Sequence, residues 1–171
     1  MNLLIGVRFS HHMVVRVART EDIPALIPVI LDYECTSVSM LSENYRSLRR
    51  MREPIEERLS RNLESCIADS ESQLFVYEEE GVVVGYAIGK IREADDVLYD
   101  PPRTGEFSEL AVLPSHRGKG RASALWNPLL AWFREQGCEF VTLSVNANNT
   151  ARAVYEKWGF ETFYIRMIKK I

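Results

Sequence analysis

The sequence is poor in the features that define several common classes of protein. Its 171 residues include three histidines and three cysteines, and the cysteines lie far apart in the chain, at Cys35, Cys66 and Cys138. Because there is no C-x-x-C pair and no Cys/His cluster, the sequence predicts neither a disulfide framework nor a metal site. Isolated cysteines of this kind, which we expect to be structural, are typical of a reducing compartment, and we predict a cytoplasmic protein.

Long apolar runs and a strong charge of either sign are also missing. No segment approaches the roughly 20 apolar residues that a membrane-spanning helix requires, and residues 1–12 lack the long apolar region of a signal peptide. The net charge of -3 gives no general reason to expect binding to nucleic acid or to an anionic membrane. Any anion-binding site in this chain must therefore be local.

Length and composition predict a single domain over residues 1–171. The apolar fraction of 46% and the charged fraction of 26% are ordinary for a globular protein, and the chain is close to the commonest domain size. Regular alternation of apolar and polar residues begins only at Met13. We therefore expect residues 1–12 to form a flexible N-terminal extension.

Periodicity along the chain predicts an α/β protein of the α+β type, with a mixed, mostly antiparallel central sheet flanked by helices. The predicted strands cover residues 14–19, two runs of a hairpin within 72–92, and residues 106–114, 139–145 and 160–171. The predicted helices cover residues 20–37, 54–68, 120–136 and 148–158. Pro24 and Pro28 leave the start of the first helix open, and Pro128 should kink or shorten the third. Residues 38–53 are either helix or loop.

The most informative segment is HRGKGRAS, residues 116–123, which leads from a predicted strand into a predicted helix. Glycines allow the backbone to approach a ligand closely, and the first amides of a helix have no intrahelical acceptor. No acidic residue lies between Ser115 and Ser123, while Lys119 and Arg121 add positive charge. The alternative is that the glycines only form a tight turn and the basic residues only add solubility. The dinucleotide-binding and P-loop glycine patterns are both incomplete here.

Two short patterns resemble signatures of the GNAT superfamily of N-acetyltransferases. Arg117-x-x-Gly120-x-Ala122 is similar to the acyl-CoA signature of that superfamily, [QR]-x-x-G-x-[GA]. About 30 residues later, NNTARAVYEKWGF is similar to its N-x-x-A-x-x-x-Y-x-x-x-G-F helix, with every fixed position matched from Asn148 to Phe160. The resemblance covers residues 106–160 and implies a GNAT-like fold with acetyl-CoA as co-substrate and no metal.

The resemblance also implies how the cofactor is bound. The strand before the turn would bind the pantetheine arm through main-chain atoms of Leu110, Ala111 and Val112. Arg117 would shape the turn, and the diphosphate would lie on the amides of Gly118, Lys119, Gly120, Arg121, Ala122 and Ser123. Asn148 would hydrogen-bond the pantetheine, unless its role is to cap the last helix.

For catalysis, the resemblance implies direct attack of an amine on the thioester, with Tyr155 protonating the departing thiolate. Without the motif, Tyr155 would be interpreted as a packing residue. Glu106 is the favoured base and Glu109 the reserve, and a water relay that ends on a carboxylate is the third possibility. By alternation Glu106 and Glu109 point to opposite faces, unless a β-bulge between them reverses the phase.

The acceptor is predicted to be a small-molecule or peptide amine, and its identity cannot be derived from the sequence. Asp95, Asp96 and Asp100 could attract a cationic amine, although a solvated loop explains them better. A second subunit is one way to close the acceptor site, which makes a homodimer an expectation. The alternative function is a non-catalytic CoA-binding regulatory or interaction module on the same fold.

Overall fold

The computed structural model describes residues 7–9, 13–92 and 97–171, which form one six-stranded sheet with helices on both faces. The strands follow the chain order across the sheet: β1 (Val7–Phe9), β2 (Met13–Val17), β3 (Ser72–Glu79), β4 (Val82–Arg92), β5 (Thr104–Val112) and β6 (Phe140–Leu143). All neighbours are antiparallel except β5 and β6, which are parallel. The predicted mixed, mostly antiparallel sheet is therefore confirmed.

Four α-helices accompany the sheet: α1 (Ile23–Ser39), α2 (Ile55–Ala68), α3 (Arg121–Glu135) and α4 (Arg152–Lys157). Residues 38–53, left open by the sequence, contain the end of α1 and the 3₁₀-helix Glu43–Arg49. Both internal prolines are accommodated, since α1 continues past Pro28 and α3 past Pro128. In α3 the fully buried Leu125 and Leu129 lie on either side of Pro128, so packing offsets the cost of about 3 kcal/mol expected for a proline inside a helix.

The start of α1 is fixed by a buried carboxylate. Asp22 ends a 3₁₀ turn, accepts a hydrogen bond from the Arg19 amide at 2.7 Å, and forms an ion pair with Arg16 of β2, also at 2.7 Å. The same guanidinium reaches Glu78 of β3 at 2.8 Å. Because Arg16 stabilises the ionised carboxylate more than burial disfavours it, the pKa of Asp22 lies below its ordinary value.

Each face of the sheet has its own apolar core. On one face α3 packs Leu125, Trp126, Leu129 and Phe133 against the sheet; on the other, α1 and α2 pack against residues such as Tyr86 and Ile88. Gly89 of β4 leaves room for the Phe133 ring, because a Cβ there would lie 2.6 Å from Phe133 Cζ. Among the described residues, no helix is long and apolar enough to cross a lipid bilayer.

The two ends of the chain differ from the prediction. Val7–Phe9, placed by the sequence in a flexible extension, pair with β2 as strand β1; the rest of that extension lies outside the described residues. The strand predicted over residues 160–171 is wrong. This segment has no regular structure and leaves Phe163, Ile165 and Met167 exposed, because alternation gives a segment strand character without providing a partner strand.

Candidate active site

The sheet opens between β5 and β6. The two strands pair only over residues 104–107 of β5, and β6 ends at Leu143. In the described part of the chain, residues 108–112 of β5 therefore have β4 as their only neighbouring strand. The result is a free strand edge beside the turn that leads into α3.

Hydrogen-bond alternation decides which main-chain groups line this opening. The Leu113 amide donates to the Val84 carbonyl at 2.9 Å, and in an antiparallel pair every second residue exchanges hydrogen bonds with its partner strand. Ala111 therefore bonds to β4, whereas Leu110 and Val112 direct their N–H and C=O groups into the opening. Of the three residues predicted to bind a ligand through the main chain, Leu110 and Val112 remain predictions, whereas the main-chain groups of Ala111 are used within the sheet.

The turn after β5 has the geometry of an anion site. Gly118 and Gly120 have φ of +78° and +75°, and a Cβ on either would meet no atom within 4 Å. Gly120 begins α3 without a side-chain cap, and the first helical hydrogen bond runs from the Ala124 amide to the Gly120 carbonyl at 3.0 Å. Within the described residues, the amides of residues 121–123 are therefore left for a ligand or solvent. Together with the helix dipole they favour an anion.

Arg121 does not add free charge to this turn, contrary to the prediction from sequence. Its side chain is 5% exposed and forms an ion pair with Glu79 at the end of β3, with a closest distance of 2.5 Å, and it donates to the His116 carbonyl at 2.9 Å. The Arg121 guanidinium holds the pKa of Glu79 below its usual value. Arg121 therefore anchors the turn to β3, and only its main-chain amide faces the anion site.

Arg117 links the turn to β5 and to α1. Its Nε donates to the Val112 carbonyl at 2.8 Å, and its guanidinium lies 3.6 Å from Asp32 of α1. The Val112 carbonyl is consequently occupied, so that the Val112 N–H is the main-chain group of this residue that remains available in the opening. Lys119 is exposed at the tip of the turn.

A β-bulge at Ser108 brings the two candidate bases to the same face of the sheet. The register of β5 against β4 passes from Phe107 opposite Gly89 to Glu109 opposite Ile88, which leaves Ser108 as the extra residue. Simple alternation would have separated Glu106 from Glu109. Both instead lie on the face covered by α1 and α2.

The two carboxylates have different environments. Glu106 forms an ion pair with Arg92 of β4. Glu109 has no cationic contact of that kind among the described residues, and it accepts a hydrogen bond from the Tyr86 hydroxyl at 2.8 Å. Burial raises the pKa of Glu109 more than the Tyr86 hydrogen bond lowers it. Glu109 is thus the carboxylate whose proton affinity is adjusted towards neutral pH.

Tyr155 contacts β5 at the point where the sheet opens. It is on α4, and its ring packs edge-on against Phe107 of β5 with centroids 6.0 Å apart. Burial raises the pKa of Tyr155 to about 12, and the Tyr33 phenol of α1 contributes to the same shift. The phenol is therefore protonated at neutral pH, and its hydroxyl has no hydrogen-bond partner in the ranges described.

Four residues near Glu109 belong to none of the motifs in the sequence. Electrostatic interactions connect Glu109 to Glu34 and Arg49, and also to Tyr33, which in turn interacts with Tyr155; Tyr86 is in direct contact. Residues of α1 and of the following 3₁₀-helix thus meet the central strands. No short motif marks such residues, because their proximity depends on how α1 crosses the sheet.

Asn148 does not cap α4, which begins at Arg152. Its side-chain amide donates to the Met40 carbonyl at the end of α1, at 3.2 Å. Asn148 thereby joins the loop before α4 to the end of α1, on the rim of the opening. Its predicted contact with pantetheine remains a prediction.

The remaining candidates are the three cysteines and the aspartates of the loop before β5. Cys35, Cys66 and Cys138 are free thiols, exposed, buried and half-buried respectively. Within the described ranges no group of three His, Cys, Asp or Glu side chains is arranged to hold a metal ion. Asp100 lies on an exposed loop, while Asp95 and Asp96 are outside the described residues.

The sequence matches a known protein family over most of its length. Residues 38–160, well over half of the chain, match the model of the acetyltransferase (GNAT) family. The chain belongs to this family, as the two signatures predicted.

Three curated relatives match about half of the chain. It is 35% identical over 95 residues to a mycothiol acetyltransferase of Saccharomonospora viridis, covering 55% of this chain and 31% of the relative. It is 33% identical over 96 residues to an uncharacterized N-acetyltransferase of Mycobacterium bovis, covering 56% of each. Over 88 residues it is 30% identical to the [ribosomal protein bS18]-alanine N-acetyltransferase of Haemophilus influenzae, covering 52% of this chain and 54% of that one. The matches thus span between about a third and just over half of the relatives' lengths.

Solved structures share the whole fold. The BH1408 protein of Bacillus halodurans superposes with a TM-score of 0.78 at 16% identity, covering 92% of this chain and 99% of the other. The aminoglycoside N-acetyltransferase AAC(6')-Iy in complex with CoA gives a TM-score of 0.72 at 18% identity, covering 96% and 98%. At these identities the likeness shows the fold alone, and it confirms the predicted GNAT-like architecture.

Proposed function

We propose that this protein is an acetyl-CoA-dependent N-acetyltransferase that acetylates a primary amine. The observation that carries the proposal is the free edge of β5 at Leu110 and Val112, immediately followed by the uncapped start of α3. One surface therefore offers strand-type hydrogen bonds to an extended amide-containing arm and a set of amides to a diphosphate. Family membership supports the same ligand.

The residues of the chain divide the binding of acetyl-CoA between them. The amides of residues 118–123 would hold the diphosphate, and the free groups of Leu110 and Val112 the pantetheine arm. Arg117 and Arg121 keep the turn in place through Asp32 and Glu79. Bound acetyl-CoA supplies the thioester that the amine attacks directly, so no covalent enzyme intermediate is required.

Glu109 is the better-supported base, in place of Glu106. A primary amine with a reference pKa of about 10.4 is an ammonium at neutral pH, and a proton acceptor close to the thioester must deprotonate it. Glu109 lies at the bulge where β5 leaves β6, and burial raises its pKa. Glu106 is engaged by Arg92 and lies where β5 and β6 are still paired. Glu109 therefore receives the amine proton directly or through one water.

Tyr155 would protonate the departing thiolate. Its pKa of about 12 keeps the phenol protonated throughout the physiological range, and its ring packs against Phe107, close to the point where the sheet opens. The Leu110 or Val112 N–H would polarise the thioester carbonyl, because both point into the opening.

The test is release of free thiol from acetyl-CoA in the presence of a panel of amines. Since the named relatives act on different acceptors, the panel should contain an aminoglycoside, a peptide with an N-terminal alanine, a lysine peptide and a polyamine. We expect turnover with at least one acceptor, a loss of about a hundredfold or more in Glu109→Gln, and a small effect in Glu106→Gln. CoA binding without turnover on any amine would favour the regulatory module instead.

A further inference from the structure

Tyr86 is a fully buried tyrosine whose hydroxyl contacts a carboxylate. It lies on β4 in the middle of the sheet, its side chain is 0% exposed, and it belongs to the apolar core on the α1 and α2 face. Its hydroxyl nevertheless donates to Glu109 Oε2 at 2.8 Å. A buried hydroxyl needs a partner, but here the partner is the carboxylate assigned above as the base.

The Tyr86 hydroxyl is the donor in this hydrogen bond as long as Glu109 is ionised. Burial and the neighbouring Glu109 charge raise the pKa of Tyr86 far above its ordinary value, so the phenol remains the donor. Glu109 Oε2 is the acceptor, and among the described residues Oε1 has no hydrogen-bond partner. One carboxylate oxygen is therefore held by the core while the other is left for water or an amine.

Several other groups act on Glu109 from the elements packed around it, and any pH effect must be separated from theirs. They are Lys90 on β4, Tyr33 and Glu34 on α1, Arg49 on the 3₁₀-helix and Cys66 on α2. Tyr86 is the one with a direct hydrogen bond to Glu109 in the part of the chain described here. Removal of its hydroxyl alone therefore isolates a single interaction.

We propose that Tyr86 is a positioning residue for the reaction: it fixes Glu109 through Oε2 and favours the ionised carboxylate that accepts the amine proton. The inference rests on the proposed function, in which Glu109 is the base. Tyr86 itself touches neither substrate, because its side chain is fully buried beneath the carboxylate. Its effect must consequently reach the reaction through Glu109.

The experiment compares Tyr86→Phe with the unmodified protein by two measurements. The first is the pKa of Glu109 in the free protein, from the pH titration of its ¹³C-labelled side-chain carboxyl, assigned with Glu109→Gln. The second is the pH profile of kcat/KM. A hydrogen bond to the charged form lowers an acid's pKa, so its loss should raise the Glu109 pKa by about one unit. The acid limb of the profile should move to higher pH by the same amount. On that limb kcat/KM should be roughly tenfold lower than in the unmodified protein, and at high pH the two proteins should have the same kcat/KM.

The matched control is Tyr77→Phe. Tyr77 is a second buried tyrosine, on β3, but its hydroxyl is bonded to Met13 Sδ at 3.2 Å in the other core. The same chemical change there should leave both the Glu109 pKa and the acid limb where they are. Site-specific 3-fluorotyrosine at position 86 makes the phenol a stronger donor. It should therefore lower the Glu109 pKa and move the acid limb to lower pH, opposite to the effect of phenylalanine. This variant also tests the proposal if Tyr86→Phe does not fold.

The outcomes separate the inference from the proposed function. Parallel shifts of the Glu109 pKa and of the acid limb support both. An unchanged Glu109 pKa in Tyr86→Phe overturns the role of Tyr86, whatever the activity. A shifted pKa with an unmoved acid limb supports the action of Tyr86 on Glu109 and overturns Glu109 as the base.

Discussion

Two glycines at opposite ends of α3 allow the anion site to be tested against a control of equal strain. Gly120 precedes the helix and Gly137 follows it, and both have φ of +75°. A Cβ on either would find no protein atom within 4 Å. Alanine at either position should therefore cost only the strain of the left-handed conformation, about 1 kcal/mol.

The two variants should differ in their affinity for CoA. If the diphosphate lies on the amides of residues 118–123, a methyl group on Gly120 projects from the surface that the ligand must approach. We expect Gly120→Ala to weaken CoA binding by about tenfold or more, corresponding to about 1.4 kcal/mol. Gly137→Ala should bind CoA like the unmodified protein, since it lies a whole helix away.

Isothermal titration calorimetry with CoA and thermal unfolding supply the two quantities. Both variants should lower the melting temperature by a similar amount, about 2–4 °C for a chain of this size. Equal CoA affinities for Gly120→Ala and Gly137→Ala would refute the anion site at the start of α3. Unequal losses of stability would show instead that the strain estimate is wrong.

Three further predictions follow from single contacts. Tyr155→Phe should lower kcat about a hundredfold or more with little change in CoA affinity; an unchanged kcat in steady-state kinetics would remove Tyr155 as the acid. Gly89→Ala should destabilise the protein by about 1–3 kcal/mol in urea unfolding, because its Cβ would overlap the Phe133 ring. Asp22→Asn should be less stable than the parent at pH 7, because Arg16 lowers the pKa of Asp22. The extra stability is present above the unfolded-state pKa of about 3.8 and is lost as the pH falls through the lower pKa of the folded state. The difference in free energy of unfolding between the two proteins should therefore disappear below pH 3.8. A difference that persists there would contradict the ion pair.

The proposed cofactor side of the site can be predicted from sequence because its chemistry is local. A glycine turn between a strand and a helix places main-chain amides by backbone geometry alone, and two short patterns were enough to indicate it. Local patterns also predict the central strands and α2. They also predict the role of Arg117 at the turn, which depends on a contact with Val112 only five residues earlier.

The proposed acceptor side depends on long-range packing, which local patterns in the sequence do not show. Alternation along β5 put Glu106 and Glu109 on opposite faces unless a bulge intervened, and only the register against β4 reveals the extra residue at Ser108. Arg121 looked like a free cation because its partner Glu79 is 42 residues away. No sequence motif marks Tyr86. Alternation and the resemblance therefore favour Glu106 as the base, whereas the function proposed above favours Glu109.

The C-terminal segment shows the limit of periodicity in another way. Residues 160–171 alternate like a strand, yet in the structure they pair with no described strand of the sheet, and residues 161–171 are exposed. A strand is stable only when its backbone groups have partners, and sequence alternation says nothing about the partner. The expected homodimer and the cytoplasmic location remain predictions.

The most direct measurement of the central claim is an NMR titration of the ¹⁵N-labelled protein with CoA. The account predicts that the largest changes in amide chemical shift fall on residues 118–123 and on Leu110 and Val112, with Ala111 and Gly137 much less affected. A titration in which these amides keep their shifts while others move, or in which CoA changes none, would contradict it.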